Sequence, residues 1–222
     1  MINLYQCYHN KKYIPNKVYD NVKKYASNYN HLIFDDDECL DYIKNNYDDK
    51  VLETYNKLKN KAHKADLFRY CILYKEGGLY MDIKVELIKD ISNLFDPNIL
   101  TTCFRKKNIF NGIISTPKNN PLLLELINYM VDNRNEKKTY QMFCRNFADT
   151  IRKYTNKPLS NNLFVINNIP NIYLLEERVV KYKEGDDINL YDRYKLIDRI
   201  YNKNEFIIKT RFVDYSGKSN NW

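Results

Sequence analysis

The sequence predicts a single α/β domain, a mostly parallel sheet flanked by helices with a β-rich C-terminal part. Two observations lead there. First, 222 residues with 44% hydrophobic and 14% aromatic content can close one substantial core and are too apolar for a disordered chain. Second, short apolar runs alternate with helical stretches as far as Pro158, after which only short β-prone runs remain. No proline- or serine-rich linker divides the chain.

The elements follow in order. Residues 2–8 (INLYQCY) predict a short buried strand, and Pro15 opens a polar helix over 17–28. A second strand spans His31–Phe34. Asp35-Asp36-Asp37 then supplies an N-cap and an acidic first turn for a helix through Asn45, a cheaper explanation than a metal site. A helix over Asp49–Lys59 precedes one over 62–75, which Gly77-Gly78 ends with glycine at the left-handed C-cap. Strands are expected over 79–87, 99–104 and 111–115, then an apolar helix from Pro121 and a further helix over Tyr140–Tyr154. The tail carries β segments at Phe164–Ile166, Ile172–Leu175 and Phe206–Ile208.

Composition removes several function classes. Glycine occurs only five times, which excludes collagen-like and glycine-linker chains and makes the Gly77-Gly78 doublet a landmark. The net charge of +8 admits an anionic partner, but acidic residues lie between the basic ones throughout, so no nucleic-acid patch or arm forms and no nucleic acid is expected. Five cysteines without a CxxC predict free thiols in a reducing compartment, and three scattered histidines do not make a zinc site. No window approaches the roughly 18 apolar residues that a membrane span needs. The start lacks a signal-peptide pattern, so a cytoplasmic protein without a membrane segment is expected.

The chemistry concentrates between residues 62 and 86. Apolar residues spread around the predicted helix 62–75, so most of it should be buried, yet Asp66 and Arg69 lie inside it at i, i+3. They form either a plain intrahelical salt bridge or a pair that lines a pocket and binds a hydroxylated ligand. After the glycine turn, an extended segment would point Asp82, Lys84 and Glu86 to one side, opposite Met81, Ile83 and Val85. Such a row lines either a ligand site at a strand end or a polar outer face of an edge strand.

The string from Asp66 to Asp82 resembles the signature of glycosyltransferases with a DXD sugar-binding region, the capsular-polysaccharide and initiating-mannosyltransferase-like family, and more distantly the clostridial glucosylating toxins. Their pattern is D-x-x-R-Y-x-x-L, a spacer, then G-G-x-Y-x-D-x-D. Asp66, Arg69, Tyr70, Leu73, Gly77, Gly78, Tyr80 and Asp82 match it in register. Weaker likeness extends to Tyr5-Gln6, the Leu-Ile-Phe-Asp-Asp segment and Ile-Ser-Thr-Pro-Lys-Asn-Asn-Pro.

The resemblance implies a Rossmann-like GT-A domain over residues 1–222, with a nucleotide-sugar half to about 115 and an acceptor and closing half beyond it. It implies retaining transfer of a hexose from a UDP- or GDP-sugar to a hydroxyl of a glycan or other acceptor. Carried over by position, Asp66, Arg69, Tyr80 and Gly78 belong to the donor-sugar site, and Tyr5 and Gln6 lie near the nucleotide base. Asp82 and Lys84 take the catalytic positions, and Asn220 and Trp222 stand where a closing loop would be. The family's second motif acid, an anchor for Mn²⁺ or Mg²⁺, is Lys84 here. Either the Lys84 ammonium stands in for the metal, or Glu86 joins Asp82 in recovering it. The rival readings are a nucleotide-sugar-binding module without turnover and a basic polyanion binder.

Overall fold

β-Branched and aromatic residues fill the short runs that become strands, and polar caps or turns end them. The computed structural model describes residues 1–135, 139, 141–181 and 196–210. Strand β1 (Ile2–Cys7) leads through helix α1 (Asn16–Tyr25) to β2 (Tyr29–Phe34). Helices α2 (Asp36–Asn46), α3 (Asp49–Lys57) and α4 (Lys61–Glu76) precede β3 (Gly78–Met81) and β4 (Glu86–Leu87). Next come β5 (Leu100–Arg105), β6 (Asn108–Thr116), α5 (Pro121–Asp132) and α6 (Met142–Thr155). The last described strands are β7 (Leu163–Phe164), β8 (Ile172–Lys181), β9 (Leu196–Asn202) and β10 (Glu205–Lys209).

Among the described residues the strands form one sheet in the order β2-β1-β3-β6-β5-β8-β9-β10-β4, with β7 against β8. The expectation of a mostly parallel sheet is corrected here: the sheet is mixed. Pairing is parallel at β1–β2, β1–β3 and β5–β8 and antiparallel at the other described pairs. Helices separate β1, β2 and β3, which permits parallel crossovers, whereas tight turns join β5 to β6 and β9 to β10. Those turns contain no glycine. Lys106 and Lys203 take the positive φ instead, at 54° and 55°, so they carried no turn signal.

Alternation along the central strands divides the core. Tyr5, Tyr80, Ile114 and Leu174 face the layer of α2 to α6, while Leu4, Leu79, Ile113 and Leu175 face α1 and the segment with Ile91 and Phe95. Burial on both sides explains why the strands read as continuous apolar runs. The acidic triplet before α2 is a cap: Asp35 accepts from the Glu38 amide at 3.1 Å, and the Asp35 amide donates back to Glu38 at 2.9 Å.

Helix α4 is buried from Asp66 to Leu73. Its enclosed Leu67, Phe68, Ile72 and Leu73 each contribute about 1.5–3 kcal/mol, which offsets the cost of holding two charged residues in the same helix out of water. The helix stops at Gly77, whose φ is +67°, and Gly78 follows at +102°. A Cβ on Gly77 would lie 2.6 Å from the Lys118 amide nitrogen, and one on Gly78 would lie 2.6 Å from the Asn3 carbonyl oxygen.

The expected strand over 79–87 breaks after Met81. Asp82 opens a turn in which the Val85 amide donates to the Asp82 carbonyl at 2.9 Å, a position that aspartate favours. The Asp82 amide itself donates to the Gly112 carbonyl at 2.8 Å. The chain then re-enters the sheet at β4, antiparallel to β10. Gly77→Ala is expected to lower unfolding stability by more than about 1 kcal/mol, because both the dihedral and the backbone contact oppose a methyl group. A urea midpoint equal to that of the unsubstituted chain would contradict the close approach.

Candidate active site

The C-terminal ends of β1 and β3, the start of the β6 core run and one face of α4 meet around the Arg69 guanidinium. Arg69 is only 5% exposed. Nε donates to the Ala65 carbonyl at 3.0 Å and Nη1 to the Asn111 carbonyl at 2.6 Å. Nη1 also stands 3.5 Å from Asp66 Oδ1, and Nη2 stands 3.3 Å from Asp82 Oδ1. The group lies 4.6 Å from the Tyr80 ring centroid, in cation–π contact. Lys84 closes the array, with Nζ 3.6 Å from Asp82 Oδ2. Two carboxylates and two cations thus share one site, with formal charges that balance.

Asp66, Arg69, Asp82 and Lys84 are therefore brought together, and the Asp66–Arg69 pair extends beyond its own helix. Burial raises the Asp66 carboxyl above its ordinary value, and Arg69 and Asn111 only partly oppose this. Burial pushes Asp82 the same way, but Arg69 and then Lys84 outweigh it and leave this carboxyl below its ordinary value.

Asn111 was not found from the sequence, where it read only as part of a strand. It is 4% exposed. Its Nδ2 donates to Asp66 Oδ1 at 3.1 Å and to the Tyr70 hydroxyl at 2.8 Å, while its buried Oδ1 has no hydrogen-bond partner among the described residues. An unsatisfied buried acceptor costs about 1–3 kcal/mol and suits a ligand hydroxyl that would donate to it.

Other expected residues take supporting places. Tyr80 is buried, with its hydroxyl 3.1 Å from Cys7 Sγ and 3.3 Å from Asp82 Oδ1, to which it donates. Gly78 shapes the turn before it. Tyr5 and Gln6, expected near the nucleotide base, are buried at the C-terminal half of β1, 2% and 0% exposed. Tyr5 alternates inward on β1 and accepts from Asn3 Nδ2 at 2.8 Å. Gln6 Oε1 lies 2.8 Å from His31 Nε2, and Gln6 Nε2 donates at 3.5 Å to the Asp82 carbonyl, so Gln6 steadies the turn from behind. Asn220 and Trp222 lie outside the described residues.

The donor set does not fit a divalent cation. Each Asp82 oxygen already faces a cation, and Glu86, placed beyond the turn, pairs with Lys209 at 3.1 Å. The turn at 82–85 also removes the strand alternation that would set Asp82 and Glu86 side by side as metal ligands. Among the described residues no group of three His, Cys, Asp or Glu side chains could hold a metal ion.

Arg69→Met leaves both carboxylates buried without their main partner. We expect a loss of about 3–5 kcal/mol at neutral pH. The deficit should shrink as the pH falls toward about 4, because the unpaired carboxyls take up protons in the folded state before the unfolded chain does. In the unsubstituted chain Asp82 acts oppositely: its depressed folded pKa stabilises the fold above about pH 4, and that contribution is lost as the pH falls through the folded value. Denaturant titrations across pH check both, and a deficit that is constant with pH would contradict the ion pairing.

Residues 15–103 match the family described as glycosyltransferase sugar-binding region containing DXD motif. An uncharacterized glycosyltransferase of Acanthamoeba polyphaga mimivirus is 28% identical over 158 residues, 68% of this chain and 63% of that protein. An initiation-specific alpha-1,6-mannosyltransferase of Schizosaccharomyces pombe is 31% identical over 85 residues, 36% of this chain and 20% of that one. The chain thus spans less than two thirds of the curated relatives it matches. The solved PaToxG glycosyltransferase, 20% identical, shares the fold with a TM-score of 0.56 over 68% of each chain. No described helix is long and apolar enough to cross a membrane. Asp66, Arg69 and Asp82 all lie inside the matched stretch, so the residues of the array fall within the part of the chain that is similar to glycosyltransferase sugar-binding regions.

Proposed function

We propose that the chain is a retaining glycosyltransferase of GT-A type that moves a hexose from a UDP- or GDP-sugar to a hydroxyl of a glycan or another acceptor. The observation that carries this reading is a charge-balanced, largely buried array beside an acceptor that lacks a partner, Asn111 Oδ1. Sugars present several hydroxyls that both donate and accept. Asn111 Oδ1 would accept from one of them, and Asp66 from another, while Arg69 fixes both at one depth. Relatives named as glycosyltransferase and mannosyltransferase support a sugar as the transferred group.

Asp66 and Asp82 are both held by Arg69, so neither is placed as a free covalent nucleophile. The chemistry that suits such a site is attack by the acceptor on the face from which the diphosphate leaves. The bond from the anomeric carbon to the diphosphate oxygen breaks with its electron pair, and the acceptor oxygen bonds to that carbon. The acceptor proton passes to the departing diphosphate oxygen. Asp82 and Lys84 stand at the leaving-group end, and catalysis comes from positioning and fixed charge.

A thermal-shift screen of UDP-, GDP- and CDP-sugars is expected to find at least one that raises the melting temperature. Hydrolysis or transfer of that donor should fall about 100-fold or more in Asp82→Asn. Asp66→Ala, with folding checked by circular dichroism, should lose the shift. Binding without turnover would leave a sugar-binding module, and no shift with any nucleotide sugar would refute the reading.

A further inference from the structure

We infer that this site binds the diphosphate of its donor without a divalent cation, with the Lys84 ammonium as the resident positive charge. The inference rests on the nucleotide-sugar reading above. The matched family region is described by a DXD motif, and here the corresponding positions read Asp82-Ile83-Lys84. Two carboxylates and a divalent cation sum to zero, and so do the Asp82 carboxylate and the Lys84 ammonium. The replacement therefore preserves the local charge while it removes the need for a metal.

Geometry supports more than charge counting. A divalent cation bound to phosphates takes oxygen ligands from one or two carboxylates. Asp82 offers neither oxygen freely, since Oδ1 faces Arg69 at 3.3 Å and Oδ2 faces Lys84 at 3.6 Å. A cation at Oδ2 would also meet the like charge of Lys84. The nearby acid, Glu86, is turned toward Lys209.

Lys84 is not consumed by its partner. Its side chain is 30% exposed, and its ammonium lies 5.5 Å from the Phe110 ring centroid as well as beside Asp82. Carboxylate and ring together restrict a side chain that is otherwise flexible, and the remaining face is open to a phosphate oxygen. Gly112 makes the arrangement possible. A Cβ there would lie 2.3 Å from Phe110 Cζ and 2.8 Å from Asp82 Oδ2, so any side chain would displace both groups that position the ammonium.

Calorimetric titration of the full chain with UDP and with GDP, in EDTA and in Mn²⁺, tests the inference. One of the two nucleotides should bind with the same affinity in both buffers. Lys84→Met should weaken that binding about tenfold or more in EDTA and in Mn²⁺ alike, and Lys84→Arg should retain most of it. Lys84→Asp should make binding depend on Mn²⁺, with its fold confirmed by circular dichroism. Binding by the unsubstituted chain that is lost in EDTA and restored by Mn²⁺, or unchanged binding by Lys84→Met, would overturn the inference and leave the donor reading intact. No binding of either nucleotide in either buffer would remove the donor reading and the inference together.

Discussion

A guanidinium withdrawn from water needs partners for all its donors, and the fold around α4 is organised to meet that demand for Arg69. Its contacts reach its own helix through Ala65 and Asp66, strand β6 through the Asn111 carbonyl, and the end of β3 through Asp82. Three elements from separate parts of the chain are thereby fixed at one point. Arg suits this role and Lys would not, because the planar fork serves several acceptors in fixed directions. The apolar remainder of α4 supplies the burial energy that keeps the group in place.

The constraint has consequences for the site. Asp82 must sit within reach of Arg69, so the strand that carries it stops there and the chain turns. Gln6 and His31 extend the support to β1 and β2, while Gly112 leaves the room that the Asp82 carboxylate occupies. The two carboxyls end with opposite tendencies although one arginine touches both. Asp66 is ruled by burial, and Asp82 by its two cations. Asn111, held through its amide nitrogen, presents an acceptor with no partner among the described residues.

Much of this was legible in the sequence where information is local. Helix α4, its glycine stop and the cap at Asp35 follow from spacing and turn chemistry within a few residues. The Asp66-to-Asp82 string likewise names residues that the fold brings together, since one helix and one turn span it. What escaped depends on partners distant in sequence. Asn111 is 45 residues from Asp66 and is indistinguishable in a strand-like run from any other asparagine. The antiparallel hairpins lacked glycine because lysines adopt the positive φ, so the sheet read as more parallel than it is. The turn at Asp82 is invisible to alternation, because polar residues at 82, 84 and 86 fit a continuous strand equally well.

The central claim is that the Arg69-centred array is the place where a nucleotide sugar binds. A crystal structure of the chain with its donor, grown in the presence of EDTA, tests it most directly. The account predicts a sugar hydroxyl within hydrogen-bond distance of Asn111 Oδ1 and Asp66, and a diphosphate oxygen against Lys84 Nζ. A donor bound elsewhere on the sheet, with Asn111 Oδ1 still unpartnered, would contradict it.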